Sequence, residues 1–344
     1  MDPVALLTRM VEIPSLSGEE SALADFLVET MRGLGLNARV DEAGNAVGVL
    51  GDGPTEIVLL GHMDTVPGAI PVRIADGKLY GRGSVDAKGA LAAFIAAARQ
   101  VGALPGKRIV VVGATEEEAA SSKGARHIAR TRAPACCVIG EPSNTHAVTL
   151  GYKGRLVFAY RAEADASHSA SPDENVIEAA VRFWNGVRGW AEAENAGKKM
   201  FDALDPVLRE IHSESDGLAE AVNLRASIRL PLGRTPDAVQ ARIESLAPPG
   251  VRLRFWGGDL PYRAEKNTPL VRAFLAAIRA EGLTPAFKVK SGTSDMNVVG
   301  PAWRCPIVAY GPGDSRLDHT PDEHLDLDEY RRAIAILTRT LCSL

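Results

Sequence analysis

Ile57-Val58-Leu59-Leu60-Gly61-His62-Met63-Asp64 is the stretch whose reading decides the fold. Four aliphatic residues in a row, with no polar alternation and a glycine at the end, describe a strand buried on both faces. The same form returns at Ile109-Val110-Val111-Val112, at Cys136-Cys137-Val138-Ile139 and, late in the chain, at Ile307-Val308-Ala309-Tyr310. Helical segments at 87–101 and 123–131 separate the first three. Strand, helix, strand, helix, strand predicts a mixed, mostly parallel, doubly wound α/β sheet. Toward the start, Asp2-Pro3 is a cap followed by a first-turn proline, with Val4, Leu7, Met10 and Val11 forming a helical stripe behind it. Ser17-Gly18-Glu19-Glu20 opens a second helix running to about Arg32, closed by Gly33 and Gly35.

Beyond Gly151 the pattern changes. Residues 156–162 alternate as a half-exposed strand, 174–190 form a long helical stretch, 224–230 alternate again, 237–246 are helical and 251–256 alternate. Elements with one apolar face each make an α+β layer of their own. From about Asn267 the first style resumes, with a helix at 269–281, short strands at 287–289 and 307–310, and a closing helix from Leu327. The expected organisation is one domain from residues 1–151 and 266–344, interrupted by an inserted α+β domain at 152–265. A chain of 344 residues has room for two cores.

Hydrophobic residues at 46% against 24% charged are ordinary for a globular protein, and a formal charge of −4 gives no footprint for nucleic acid. The longest apolar stretch, residues 90–98, is too short to cross a bilayer, and no basic-then-apolar leader is seen, so neither membrane insertion nor secretion is expected. Cys136, Cys137, Cys305 and Cys342 show no Cys-x-x-Cys spacing, which suggests neither a zinc knuckle nor a disulfide frame and fits a reducing cytoplasm.

The chemistry lies where the apolar runs stop. Gly61-His62-Met63-Asp64-Thr65-Val66-Pro67, Gly81-Arg82-Gly83-Ser84-Val85-Asp86-Ala87-Lys88-Gly89, Glu116-Glu117-Glu118, Gly140-Glu141-Pro142 and Asp318-His319-Thr320-Pro321 all place acids or histidines at strand-to-loop junctions. Taken singly each is bland: a lone histidine is usually structural, a glutamate triplet a solvated helix start, and Gly-Glu-Pro a turn. Together they point to one crevice at the carboxyl ends of the sheet. Two histidines among several carboxylates make a mixed nitrogen and oxygen donor set suited to Zn²⁺ and its relatives, hence to a metal-dependent hydrolase. A dinucleotide fold is disfavoured, because no Gly-x-Gly-x-x-Gly opens a helix after the first strand.

In this order the motifs resemble the co-catalytic zinc aminoacylase and carboxypeptidase family, which includes carboxypeptidase G, acetylornithine deacetylase and succinyl-diaminopimelate desuccinylase. The resemblance runs through the whole chain. Its compactness and the run Glu116-Glu117-Glu118-Ala119-Ala120-Ser121-Ser122-Lys123-Gly124 are most similar to the lysine-biosynthetic branch, acetyl-lysine deacetylase or the hydrolase of carrier-protein-bound lysine. The family implies two Zn²⁺ per subunit, with Co²⁺ able to substitute. Asp86 would bridge them, His62 and Glu141 completing one position and His319 with one glutamate of the triplet the other. Asp64 would bond the His62 ring, and the neighbouring glutamate would act as general base. Two registers of the triplet are open. With Glu116 in place of the family's leading Asp, Glu117 is the base and Glu118 the ligand; with Thr115 there, Glu116 is the base and Glu117 the ligand. The first keeps an acid ahead of the pair and needs less insertion before Ser122-Lys123-Gly124, and it is taken forward.

The resemblance also implies that the insert serves as lid and homodimer contact. Ser167-His168-Ser169 would bring a histidine to the partner's site to hold the oxyanion, the alternative being a surface loop histidine. Arg229, Gly292 and Thr293 are candidates for a substrate carboxylate and Asp295 for its amine, with a solvated edge-strand arginine as the other reading of Arg229 and a brace for the loop as the other reading of Asp295. Lys153, Arg155 and Arg182 could steer an acidic carrier, or simply be solvated. His127, His146, His212 and His324 have no matching context. The implied reaction releases lysine, and by extension ornithine, from an N-acyl or γ-glutamyl amide. The substrate is then a small acyl-amino acid or an acidic amino-group carrier protein of lysine or arginine biosynthesis. Acetylornithine or succinyl-diaminopimelate deacylation is the sister reading, and a non-catalytic binding protein of the same fold the reading from another class.

Overall fold

The computed structural model describes residues 2–166, 168 and 174–344. They form two compact units, the first comprising Met1–Gly151, Arg263–Val289 and Ser294–Leu344, the second Tyr152–Tyr262 and Lys290–Thr293. No helix among the described residues is long and apolar enough to cross a membrane.

In the first unit a mixed sheet runs, in spatial order, Asn37–Val40, Ala46–Leu50, Lys107–Ala114, Thr55–His62, Cys136–Gly140, Ile307–Ala309 and Ala147–Tyr152. Its centre is parallel: Thr55–His62 pairs with both Lys107–Ala114 and Cys136–Gly140, and the latter with Ile307–Ala309. Every residue from Glu56 to His62 is buried, so both faces of this strand are covered. Each buried Val, Leu or Ile in it contributes about 1.5–3 kcal/mol relative to leaving it in water. Helix Lys88–Val101 packs on Thr55–His62, Lys107–Ala114 and Cys136–Gly140, and the closing helix Leu327–Ser343 packs against it in turn. Its alanines keep the helix close to the sheet. At Gly140 a Cβ would stand 2.9 Å from Phe94 Cε2 and 3.1 Å from the Cα of Gly61, so a side chain there would push helix and strands apart.

Register explains why the strand ends matter. Gly61 is level with Gly113 and with Gly140, so the chain leaves the sheet at the same height at His62, at Thr115 and at Glu141. Packing of the apolar runs thus delivers three acid- or histidine-bearing segments to one edge of the sheet.

Two features of this unit were not expected. The second helix starts at Ser21, and Glu20 does not cap it; its carboxylate instead accepts from the N–H groups of Gly18 and Glu116, both at 3.0 Å. A separate three-stranded sheet joins His324–Asp326 to Lys78–Tyr80 and Arg73–Ala75.

The second unit is an antiparallel sheet in the order Asp205–Ser215, Ala219–Leu230, Gly154–Asp165 and Arg252–Asp259, with helices Val176–Asn195 and Pro236–Leu246. Side chains along Gly154–Asp165 alternate between buried and half-buried until its last turns. Leu156, Phe158 and Tyr160 meet Phe183 and Trp184 in a core of its own, and the Tyr160 and Phe183 rings stack with centroids 4.8 Å apart. The expected helices and three strands are here, but Asp205–Ser215 is a fourth. It carries no fully buried residue, and its register shifts between Leu208 and Glu210, which breaks the alternation that would have betrayed it.

Candidate metal centre

His62 ends the central strand with its ring 2% exposed. Its Nδ1 faces the carbonyl oxygen of Asp64 at 3.0 Å. A carbonyl only accepts, so Nδ1 carries the hydrogen and the Nε2 lone pair points into the crevice. There it meets Asp86 Oδ1 at 3.2 Å and Glu141 Oε1 at 4.0 Å. Across the same carboxylate, Asp86 Oδ2 lies 3.2 Å from His319 Nε2, which is 2.8 Å from Glu118 Oε1. One aspartate thus stands between two imidazole nitrogens, with Glu141 and Glu118 at their far sides, an arrangement that calls for cations, protons or metal ions, between the carboxylates and the rings. Metal–ligand bonds of about 2.0–2.2 Å imply ligand-to-ligand edges of about 3.3–3.6 Å in a tetrahedron, close to the observed spacings. Two sets offer ligand atoms mutually within 4.8 Å: His62, Glu117 and Glu141, and His62, Asp86 and Glu118. The two sets have His62 in common, and this imidazole and carboxylate donor set fits divalent metal ions.

The glutamate loop is held from behind. Asp64 is fully buried; its Oδ1 accepts from the N–H of Glu117 at 3.0 Å, and its Oδ2 from the N–H of Glu118 at 2.9 Å and from Ser17 Oγ at 2.6 Å. Glu116 has φ +57° and is turned away, accepting from Ser121 Oγ at 2.5 Å with Lys123 Nζ 3.7 Å away. The site thus receives Glu117 and Glu118, not Glu116. Gly311 completes the wall, where a Cβ would sit 2.7 Å from Ala90 Cβ and 2.8 Å from the Glu141 carbonyl.

Electrostatics follow the same logic. Burial would depress the His62 imidazole, yet Asp64, Asp86 and the charge of Glu117 raise it well above its ordinary value. Burial lifts Glu117 well above the usual carboxyl range, opposed by His62 and reinforced by Glu141, Glu118 and Asp295. Glu118 is also raised, by burial first, with its bond to His319 pulling the other way. His319 is pushed up to about 10 by its bonds to Asp86 and Glu118. A pocket that raises both its carboxyls and its imidazoles demands positive charge. Asp64 goes the other way: burial would raise it, but His62, Ser17 and the Glu118 N–H hold it below the usual range.

Of the remaining sequence candidates, Asp295 is buried in the first unit and the others lie in the second. Arg229 Nη1 donates to Thr293 Oγ1 at 2.9 Å, and Gly292 adjoins them with open space where a Cβ would be. His168 is exposed; its neighbours Ser167 and Ser169 lie outside the described residues. The steering trio needs correction. Lys153 is fully buried, its Nζ donating to the Ala203 carbonyl at 2.8 Å and to Asp205 at 2.5 Å. Arg155 bonds Asp259 at 2.9 Å, and Arg182 bonds both oxygens of Glu174. Each cation already faces a carboxylate, so these three do not form a free basic patch.

Sequence reading missed three groups that brace the site. Glu20 holds the start of the glutamate loop at the Glu116 N–H, Ser17 donates to Asp64, and Glu323 accepts from the N–H of Asp86 at 3.2 Å. Glu20 was concealed in a plausible helix start. Glu323 stands in a polar run after His319 with no periodicity to mark it.

Comparison with known proteins agrees with this geometry. The sequence model of peptidase family M20/M25/M40 matches residues 58–343. A Deinococcus radiodurans protein named "[LysW]-lysine hydrolase" is 50% identical over 347 residues, covering 98% of this chain and 96% of the relative. A Thermococcus kodakarensis protein named "Putative [LysW]-lysine/[LysW]-ornithine hydrolase" is 40% identical, covering 98% and 90%. Among solved structures, an M20 family metallo-carboxypeptidase from Sulfolobus solfataricus superposes with a TM-score of 0.79 at 17% identity, covering 99% of each chain, a likeness of fold.

Proposed function

We propose, from the premise that this chain belongs to peptidase family M20/M25/M40 and is a metal-dependent hydrolase acting on an amide, that it releases lysine from an amino-group carrier protein. The observation that carries this reading is 50% identity, across 98% of the chain, to a relative named for [LysW]-lysine hydrolysis. Ornithine conjugates are a second substrate, supported by the name of the archaeal relative.

His62, Asp86 and Glu141 would hold one ion, and Asp86, Glu118 and His319 the other. Zn²⁺ is the ion best matched to this imidazole and carboxylate set, with Co²⁺ as a substitute. Bound there, such ions polarise an amide carbonyl and bring a water's pKa from 15.7 toward about 7. The protein's own part is positional and protonic. Glu117, raised by burial, accepts the proton of the attacking water and delivers it to the leaving amine nitrogen. Asp64 holds the Glu117 and Glu118 backbone and orients the His62 ring.

In the second unit, Arg229, oriented by Thr293, would receive the α-carboxylate of the amino acid, with Gly292 allowing close approach. His168 would donate to the oxyanion in the partner subunit's site. A homodimer through this unit is supported by its apolar exposure, with Val207 43%, Ile211 44% and Leu218 81% exposed on the edge hairpin and Val181 45% on the helix. The cytoplasm is the proposed compartment.

The test is an amine-release assay on protein stripped by chelation and reloaded with Zn²⁺. Its substrates are lysine-loaded carrier, ornithine-loaded carrier, acetyl-lysine, acetylornithine and succinyl-diaminopimelate. The highest kcat/KM is expected for lysine-loaded carrier. A preference for acetylornithine or succinyl-diaminopimelate would transfer the assignment to those deacylases, and carrier binding without hydrolysis would make the protein a binding module.

A further inference from the structure

Behind the ion ligands lies a carboxylate with no part in the roles above. Glu323 is fully buried, and a buried carboxylate is costly unless donors satisfy it. Three do, and their positions are informative. Glu323 Oε1 accepts from the N–H of Val85 at 3.0 Å and from the N–H of Asp86 at 3.2 Å. Oε2 accepts from Arg82 Nη1 at 2.8 Å. The same Arg82 Nη1 reaches the carbonyl of Thr320, the residue after His319, at 3.3 Å, while its Nε donates to the Gly68 carbonyl at 3.0 Å. Glu323 also accepts the Gly81 N–H on its own carbonyl at 3.3 Å. One side chain thus ties the backbone of Asp86 to the loop of His319, whose φ of +61° is a conformation that must be held by its surroundings. These two loops carry the atoms Asp86 Oδ2 and His319 Nε2, found 3.2 Å apart.

We propose that Glu323 is a positioning residue for the ion that Asp86 and His319 would hold, acting through the Asp86 backbone and, by way of Arg82, on the His319 loop, and that it sets the affinity of that position more than that of the one at His62 and Glu141, which shares only Asp86 with it. This rests on the two-ion reading above. A plain core ion pair would stabilise the fold without preferring one ion position; bonds that land on a ligand's own N–H and beside the next ligand predict a selective effect.

The experiment is Co²⁺ titration of the full-length, metal-free protein, followed by visible absorption and calorimetry, for wild type and Glu323→Gln. Glutamine keeps the volume but replaces one acceptor oxygen by a donor, so either the two N–H groups or Arg82 loses its partner. Wild type should take up two Co²⁺. The variant should bind its second Co²⁺ about 10- to 100-fold more weakly, the usual cost of removing a group that orients a ligand, and its first, which shares only Asp86, with a clearly smaller loss. Turnover should return when Co²⁺ is raised to saturation. Arg82→Lys is the companion variant, keeping the charge while losing the fork that spans Glu323, Thr320 and Gly68, and it should show the same selective loss. Two ions bound as tightly as in wild type by a folded Glu323→Gln would overturn the proposal, as would equal weakening of both. Loss of fold in both variants would assign the pair to the core and overturn it too. Fewer than two Co²⁺ in wild type would instead bring down the two-ion reading itself.

Discussion

Strand Thr55–His62 in the first unit is buried from Glu56 to its end, whereas Asp205–Ser215 in the second has no fully buried residue. The first strand is so constrained by packing that a histidine at its end can hardly be there for solubility. The second is exposed or half-buried along its whole length and mixes polar with apolar residues, so any one polar residue in it is inconspicuous. In the proposed assignment, function in the first unit sits at the strand ends, at His62, at Glu117 and Glu118 and at Glu141. In the second it would rest on exposed or half-buried groups, His168 and Arg229. Damage to the first unit should therefore appear in kcat and ion content, and damage to the second in substrate affinity and assembly, His168 being the one position there expected to reach kcat.

The largest effect expected is at Glu117. Glu117→Gln should keep its ions, measured by elemental analysis, and lose about 10²–10⁴ in kcat, the contribution of a placed general base. Glu116→Gln should leave kcat nearly unchanged, since its carboxylate is engaged with Ser121 and Lys123. The opposite result, with Glu117→Gln losing ions and Glu116→Gln losing rate, would restore the other register of the triplet.

His168 tests whether the second unit can reach kcat at all. His168→Ala should lower kcat by about 10²–10³, as loss of an oxyanion donor does, with a smaller change in KM. If the donor serves the partner's site, mixing inactive His168→Ala with inactive Glu117→Gln subunits should restore turnover, because a mixed dimer holds one intact site. A fully active monomer, seen by sedimentation at assay concentration, would sink the shared site.

Arg229→Ala should act more weakly and elsewhere. Losing charge-assisted bonds to a carboxylate should raise KM about 10- to 100-fold with little effect on kcat. A fall in kcat at unchanged KM would place Arg229 with the reacting atoms and erase the division between the units.

Legibility in the sequence follows the same contrast. The parallel sheet core was readable because Ile57–Leu60 and its counterparts are unbroken apolar runs, and the candidate site segments stood out because His62 and Glu141 close two of those runs. What was not readable acts across long sequence distances without periodicity. Glu20 meets Glu116 and Glu323 meets Asp86 through backbone N–H groups, contacts that any acid in any loop could make. Strand Asp205–Ser215 was hidden by its bulge and its exposure. Lys153 misled in the other direction: a lysine reads as solvated, and only the fold shows it enclosed with Asp205.

The smallest effect expected is a pH dependence that separates the units in metal-free protein. Asp86 and Glu118 hold the His319 imidazole at about 10 against an ordinary 6.5. The folded state thus binds that proton more tightly than the unfolded chain does. The stabilisation is fully present below about 6.5 and is lost as pH rises through about 10. In chelator, wild type should melt above His319→Gln at pH 6, and the difference in Tm should shrink toward zero by about pH 10.5. Ion uptake must displace the same proton, so Zn²⁺ titrations at pH 7 in buffers of different ionisation enthalpy should register proton release. Arg161 in the second unit supplies the contrast. It bonds Glu163 and Glu214 on the surface, and its guanidinium, raised further by the Glu163 bond, does not titrate in this window. Whatever small Tm change Arg161→Gln causes should be the same at both pH values. A His319 difference equally flat with pH would mean that its partners do not hold the proton, and that the demand for positive charge at Asp86 and Glu118 is weaker than their spacing implies.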